Sequence, residues 1–175
     1  MRPGPGQVLH FSEDPAIERF VPQPGAFVWA LDHDRAPDYW FPRQCPRAMA
    51  WTVATTSDAD RDRIIGAGCG TRVHAVEYAW LETIRTVQLY AYRLPAAPFR
   101  PLPDPHAVVT TGAVDPLGPP ELVGNLFDLH EQAGIQLRVL PNLWPFWHSV
   151  TTSTLGFSAI RLRNAKPPTT PAPAP

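Results

Sequence analysis

Val8-Leu9-His10-Phe11-Ser12-Glu13-Asp14-Pro15 carries a short apolar run to a histidine and then switches to the residues that open helices. The spacing predicts a strand over Val8–Phe11. Ser12 suits an N-cap, Glu13 and Asp14 suit the positive end of a helix dipole, and Pro15 suits a first turn. A helical turn is therefore expected over Pro15–Phe20. A histidine between a strand end and a helix N-terminus is placed to hold a polar or anionic ligand, so His10 and Ser12 are the first candidate site residues.

Outward from this point, short strands and short helices alternate. Strands are expected over Ala26–Leu31, Ala48–Ala54, Thr86–Arg93, Ala107–Val114, Ile135–Leu140 and Phe157–Arg163, where β-branched and aromatic residues collect. Helices are expected over Arg35–Phe41, Asp58–Ile65 with Ser57 as cap, Ala75–Arg85, Pro120–Gly134 and Asn142–Ser153. In the Pro120–Gly134 stretch Leu122, Val123, Leu126, Leu129 and Ala133 share one face, and Gly134 closes it. Few of these helices are long enough for parallel crossovers. The expected class is α+β, with mixed or antiparallel twisted sheets.

A chain of 175 residues is enough for one domain, expected over 7–165. The Pro/Gly start, 1–6, and the Pro-rich end, 166–175, read as disordered tails. Twenty-three prolines punctuate the elements. A net charge of −1 gives no footprint for long nucleic acid. All but one of the 15 cationic residues are arginines, Lys166 being the exception, so nearly every cation can make forked contacts with carboxylate or phosphate. No apolar run is long enough for a membrane helix, and the first residues lack the apolar core of a signal peptide; a cytoplasmic location is the default expectation. Cys45 and Cys69 read as reduced thiols rather than a disulfide or a metal pair.

Two further stretches carry chemistry. Tyr39-Trp40-Phe41-Pro42-Arg43-Gln44-Cys45-Pro46-Arg47 follows each of two prolines with an arginine. Rigid backbone plus forked cations suits an anion site, and ion pairs with Asp32, Asp34 or Asp38 are the alternative for Arg43 and Arg47. In Pro141-Asn142-Leu143-Trp144-Pro145-Phe146-Trp147-His148-Ser149, Trp144 and Trp147 suit either a clamp on a planar ligand or the core. The six histidines form no metal-binding spacing, and no phosphate loop or nucleophile elbow occurs, so no metal is expected. Glu77 and Glu82 flank Trp80, and either could serve as a base or as half of an ion pair.

The set His10–Pro15, Val28-Trp29-Ala30-Leu31-Asp32, Trp40-Phe41-Pro42-Arg43 with Cys45-Pro46-Arg47, and Pro141–Pro145 through Ile160–Ala165 resembles an uncharacterised bacterial family of small single-domain proteins. The order of features also resembles the ADP-ribosyltransferase fold, especially the rifampin ADP-ribosyltransferases. The latter resemblance rests on Leu9-His10-Phe11-Ser12, Phe27–Ala30 followed by Ala36–Phe41, Leu89–Tyr92 with Pro98-Phe99, and Pro120–Val139. It implies NAD as ligand and substrate. His10 would hold the nicotinamide ribose, with Ser12 beside it. Trp29, where the family has a tyrosine, would stack on nicotinamide, and Phe11 replaces the family's glycine. Arg43 or Arg47 would neutralise the diphosphate, and Glu77 or Asp104 would supply the carboxylate; Trp144 stays a ligand-binding candidate on its own stretch alone. The alternatives are a non-catalytic module for a nucleotide or other planar anion, and a different enzyme on the same scaffold.

Overall fold

The computed structural model describes residues 1–68, 70–102 and 107–168. Asp104, Cys69 and the end of the Pro-rich tail lie outside the described residues. The class is α+β, with three small sheets and short helices among the described residues. Its contacts group into two compact units, each made of two stretches of chain: 1–43 with 84–129, and 44–83 with 130–175.

The first unit holds two three-stranded sheets. In one, β1 (Gln7–Ser12) runs antiparallel to β5 (Tyr90–Pro95), which pairs with the two-residue β8 (Glu121–Leu122). In the other, β7 (Val108–Thr110) lies between β2 (Val28–Ala30) and β6 (Arg100–Pro101). An isolated bridge between Leu9 and Leu31 ties β1 to the chain just after β2. Val8, Phe20, Val28, Ala30, Tyr92, Leu94 and Val114 close over one another as the core of this unit. A short 3-10 helix, Ala36–Tyr39, occupies the place expected for a helix over Arg35–Phe41.

The second unit is a four-stranded sheet with helices beside it. Its order is β10 (Gly156–Ile160), β3 (Arg47–Trp51), β4 (Arg72–Glu77), β9 (Ile135–Leu140), and only the β4–β9 pair is parallel. Ala48, Ala50, Val73 and Ala75 present small side chains on one face, where Ile64, Ile65, Leu143, Val150 and Leu155 pack. Those residues come from α1 (Asp58–Ile64), α4 (Trp144–Thr151) and their flanks. Trp147 packs into this core.

Several expected elements form differently, each for an identifiable reason. Pro15–Phe20 is not helical. Ser12 Oγ accepts the Asp14 N–H and Asp14 Oδ1 accepts the Ala16 N–H, two turns that compete with a helix for the same donors. The Tyr92 hydroxyl then donates to the Asp14 carbonyl at 2.7 Å and accepts the Ile17 N–H at 3.1 Å, which fixes the segment as extended chain. Ser12 is therefore a turn residue rather than an N-cap. Over Ala75–Arg85 the first residues belong to β4; Val73 and Val76 are interior to a sheet, and that burial outweighs the helical pattern. A helix, α2, forms only over Leu81–Thr86. The Pro120–Gly134 helix shortens to α3 (Leu126–Gln132). Gly124 at φ +86° breaks the earlier part, and the Asn125 side chain accepts the Phe127 N–H at the true start. The last strand ends at Ile160, because Arg161 turns into the left-handed region at φ 58°.

Candidate functional site

His10 sits inside β1, directly opposite Tyr92 on β5. Val8, His10 and Ser12 share a face by strand alternation, so the imidazole lies at the margin of the first unit's core. Its ring is 4.7 Å from that of Phe20, and Phe20 meets Tyr92 edge-on at 5.2 Å. Nδ1 is 2.7 Å from the Trp29 carbonyl oxygen. A carbonyl only accepts, so Nδ1 carries the proton and donates, and Nε2 of the neutral ring is left with its lone pair. Burial pushes the imidazole below its ordinary pKa; the Trp29 carbonyl opposes that push and the Arg43 charge adds to it.

The residues around His10 come from three stretches of the first unit. Trp29 gives its carbonyl to His10 and leaves its indole 45% exposed, edge-on to Phe27 at 6.3 Å. Alternation explains this, since Val28 and Ala30 on either side of Trp29 are buried in the core. Arg43 is exposed, and its backbone N–H donates to Glu13 Oε1 at 2.8 Å. That bond ties the Pro42-Arg43 step to the end of β1. Ser12 is buried and already accepts the Asp14 N–H. His10, Trp29 and Arg43 are thus gathered at one end of β1, with Glu13 among them. In the sequence Glu13 reads only as a helix-start acid; no local pattern marks a carboxylate whose partner lies 30 residues away.

The other candidates belong to the second unit. Arg47 is 1% exposed and donates to the Cys45 carbonyl at 2.9 Å. Cys45 is buried, and burial pushes its thiol up to about 12, so it is no nucleophile at neutral pH. Glu77 is 1% exposed at the end of β4. Its Oε1 accepts the Leu143 N–H at 3.1 Å, and its two oxygens accept the Lys166 N–H at 3.2 and 3.1 Å. Trp144 donates its indole N–H to the Lys166 carbonyl at 2.8 Å. In the first unit Asp38 pairs with Arg35 at 3.5 Å, and Asp32 Oδ1 accepts the Asp34 and Arg35 N–H groups.

Among the described residues no helix is long and apolar enough to cross a membrane, and no three His, Cys, Asp or Glu side chains gather where a metal ion could be held. No curated protein and no solved structure matches the chain. A family model does: it spans residues 9–165, from the strand that bears His10 to the end of the Arg161–Ala165 turn, and the chain belongs to that family of unknown function, DUF6886.

Proposed function

We propose that the chain is an ADP-ribosyltransferase-like protein that binds NAD or a related nucleotide at the His10 end of β1. The observation that carries this reading is the Nδ1 bond from His10 to the Trp29 carbonyl. It fixes one tautomer and leaves Nε2 as a hydrogen-bond acceptor, and burial keeps the ring neutral at pH 7. A neutral acceptor suits a sugar hydroxyl better than a phosphate. Arg43, whose charge reaches the imidazole, supplies the cation for a phosphate. A ribose phosphate offers both groups at once. The exposed Trp29 indole is available to stack on nicotinamide or adenine.

Cleavage of the glycosidic bond would send the bonding electrons to nicotinamide and leave positive charge on the ribose, for water or another acceptor to trap. Glu13 is the carboxylate that this end of β1 offers to that charge. The engagement of Glu77 by the Leu143 and Lys166 amides favours a second reading, binding without turnover. Calorimetric titration with NAD and ADP-ribose tests the binding, and chromatographic detection of nicotinamide separates the two readings. Saturable binding to the native chain, weakened at least about tenfold in His10→Ala and in Arg43→Ala, is expected. No heat at millimolar NAD, or undiminished affinity in a folded His10→Ala protein, overturns the proposal.

A further inference from the structure

The Pro141–Pro145 motif is not used by the nucleotide reading, yet it makes a specific set of contacts within the second unit. Asn142 Oδ1 accepts the Trp144 N–H at 2.9 Å, which orients the amide so that Nδ2 donates to the Pro167 carbonyl, also at 2.9 Å. The Trp144 indole N–H donates to the Lys166 carbonyl at 2.8 Å. Glu77 accepts the Lys166 N–H. The prolines at 167 and 168 have no N–H. Three side chains therefore satisfy every backbone polar group of the Lys166-Pro167 pair.

The segment they hold is a polyproline II strand by its own chemistry. Proline fixes φ near the polyproline II value, and each of Lys166 and Pro167 precedes a proline and is confined to extended conformations. Ala165 enters it at φ −71°, ψ 160°. Such a strand has no internal hydrogen bonds, so its carbonyls are free for a partner. An indole N–H and a carboxamide that donate to successive carbonyls of a proline-rich strand read its main chain, as grooves for proline-rich peptides do. Lys166, Pro167 and Pro168 are themselves exposed, so the segment lies on the surface and is not built into the core. The sequence onward, Thr169-Thr170-Pro171-Ala172-Pro173-Ala174-Pro175, continues the same composition.

We infer that Asn142, Trp144 and Glu77 form a binding site for proline-rich peptide, occupied in cis by Lys166–Pro168. It reads main chain, so it accepts other proline-rich segments when the cis segment is released. A tethered segment acts at an effective concentration in the millimolar range, so a free peptide competes poorly with it in the native chain.

The test uses the full chain with Lys166→Gly, Pro167→Gly and Pro168→Ser, which keeps the backbone N–H for Glu77 and removes the preference for polyproline II. The probe is a peptide of the sequence 166–175, read by the Trp144 indole N–H resonance, assigned through Trp144→Phe. The resonance is expected to shift and saturate with the proline-rich peptide, to ignore a glycine–serine peptide of equal length, and to stay put in the native chain. A resonance that does not move in a folded substituted chain, or that answers both peptides alike, overturns the inference. Should the triple replacement not fold, the milder Pro167→Ala, Pro168→Ala chain carries the same test with the same two outcomes.

Discussion

His10 shows how one backbone acceptor decides the chemistry of a side chain. Its folded pKa lies below that of the unfolded chain, about 6.5, so the unfolded state binds the proton more readily. Stability is therefore full above about pH 6.5 and falls as the pH drops from there toward the folded value. His10→Gln, which does not titrate, is expected to lose less stability between pH 7 and 5 in urea titrations than the native chain does. Tyr92 makes a second residue-scale case. It is fully buried, and its hydroxyl bonds both the Asp14 carbonyl and the Ile17 N–H. Tyr92→Phe should cost about 1–2 kcal/mol by denaturant melts and raise amide exchange at Ile17. The sequence marks His10 as chemically notable, and it offers Trp29 and Arg43 as companions. It hides Glu13 and Tyr92, because their partners lie 30 and 75 or more positions away.

Some element ends set by adjacent residues are legible in the sequence, as at α1, and others, as at the start of α3 and the end of β10, are not. Helix α1 begins where Ser57 predicts: its Oγ accepts the Asp60 N–H at 3.2 Å. Ser57→Ala should destabilise the chain by about 1 kcal/mol, measured by thermal or urea unfolding. Asp60 does more than favour the helix dipole. Its carboxylate accepts from Arg63, at 2.7 Å, and from the Thr154 N–H and hydroxyl, both at 2.8 Å. These bonds hold the carboxyl well below the usual range. The stability they bring is present above the ordinary Asp value of about 3.9 and is lost as the pH falls through the folded value. Asp60→Asn should lower the melting temperature at pH 7 and flatten the acid limb of the stability profile. Strand β9 falls at the expected bounds, whereas β4 replaces the front of an expected helix, because a pattern of Val and Ala serves either element until neighbours choose.

Across the molecule, strands pair with partners far along the chain: β1 with β5, β3 with β10, and β4 with β9. Loop closure must precede most of the native contacts, so folding is expected on the millisecond-to-second scale in stopped-flow refolding; a microsecond phase carrying the full amplitude would contradict this. Composition and period sufficed for the α+β class and for β1, β9 and α1, since each depends on residues adjacent in sequence. The tertiary structure alone decided that Ser12 makes a turn, that Glu77 anchors the Leu143 and Lys166 amides, and that the Trp144 indole donates to the Lys166 carbonyl. Those roles are hydrogen bonds, those of Glu77 and Trp144 made with groups 22 to 89 residues distant, and a donor's identity in the sequence carries no record of which acceptor the fold will bring to it.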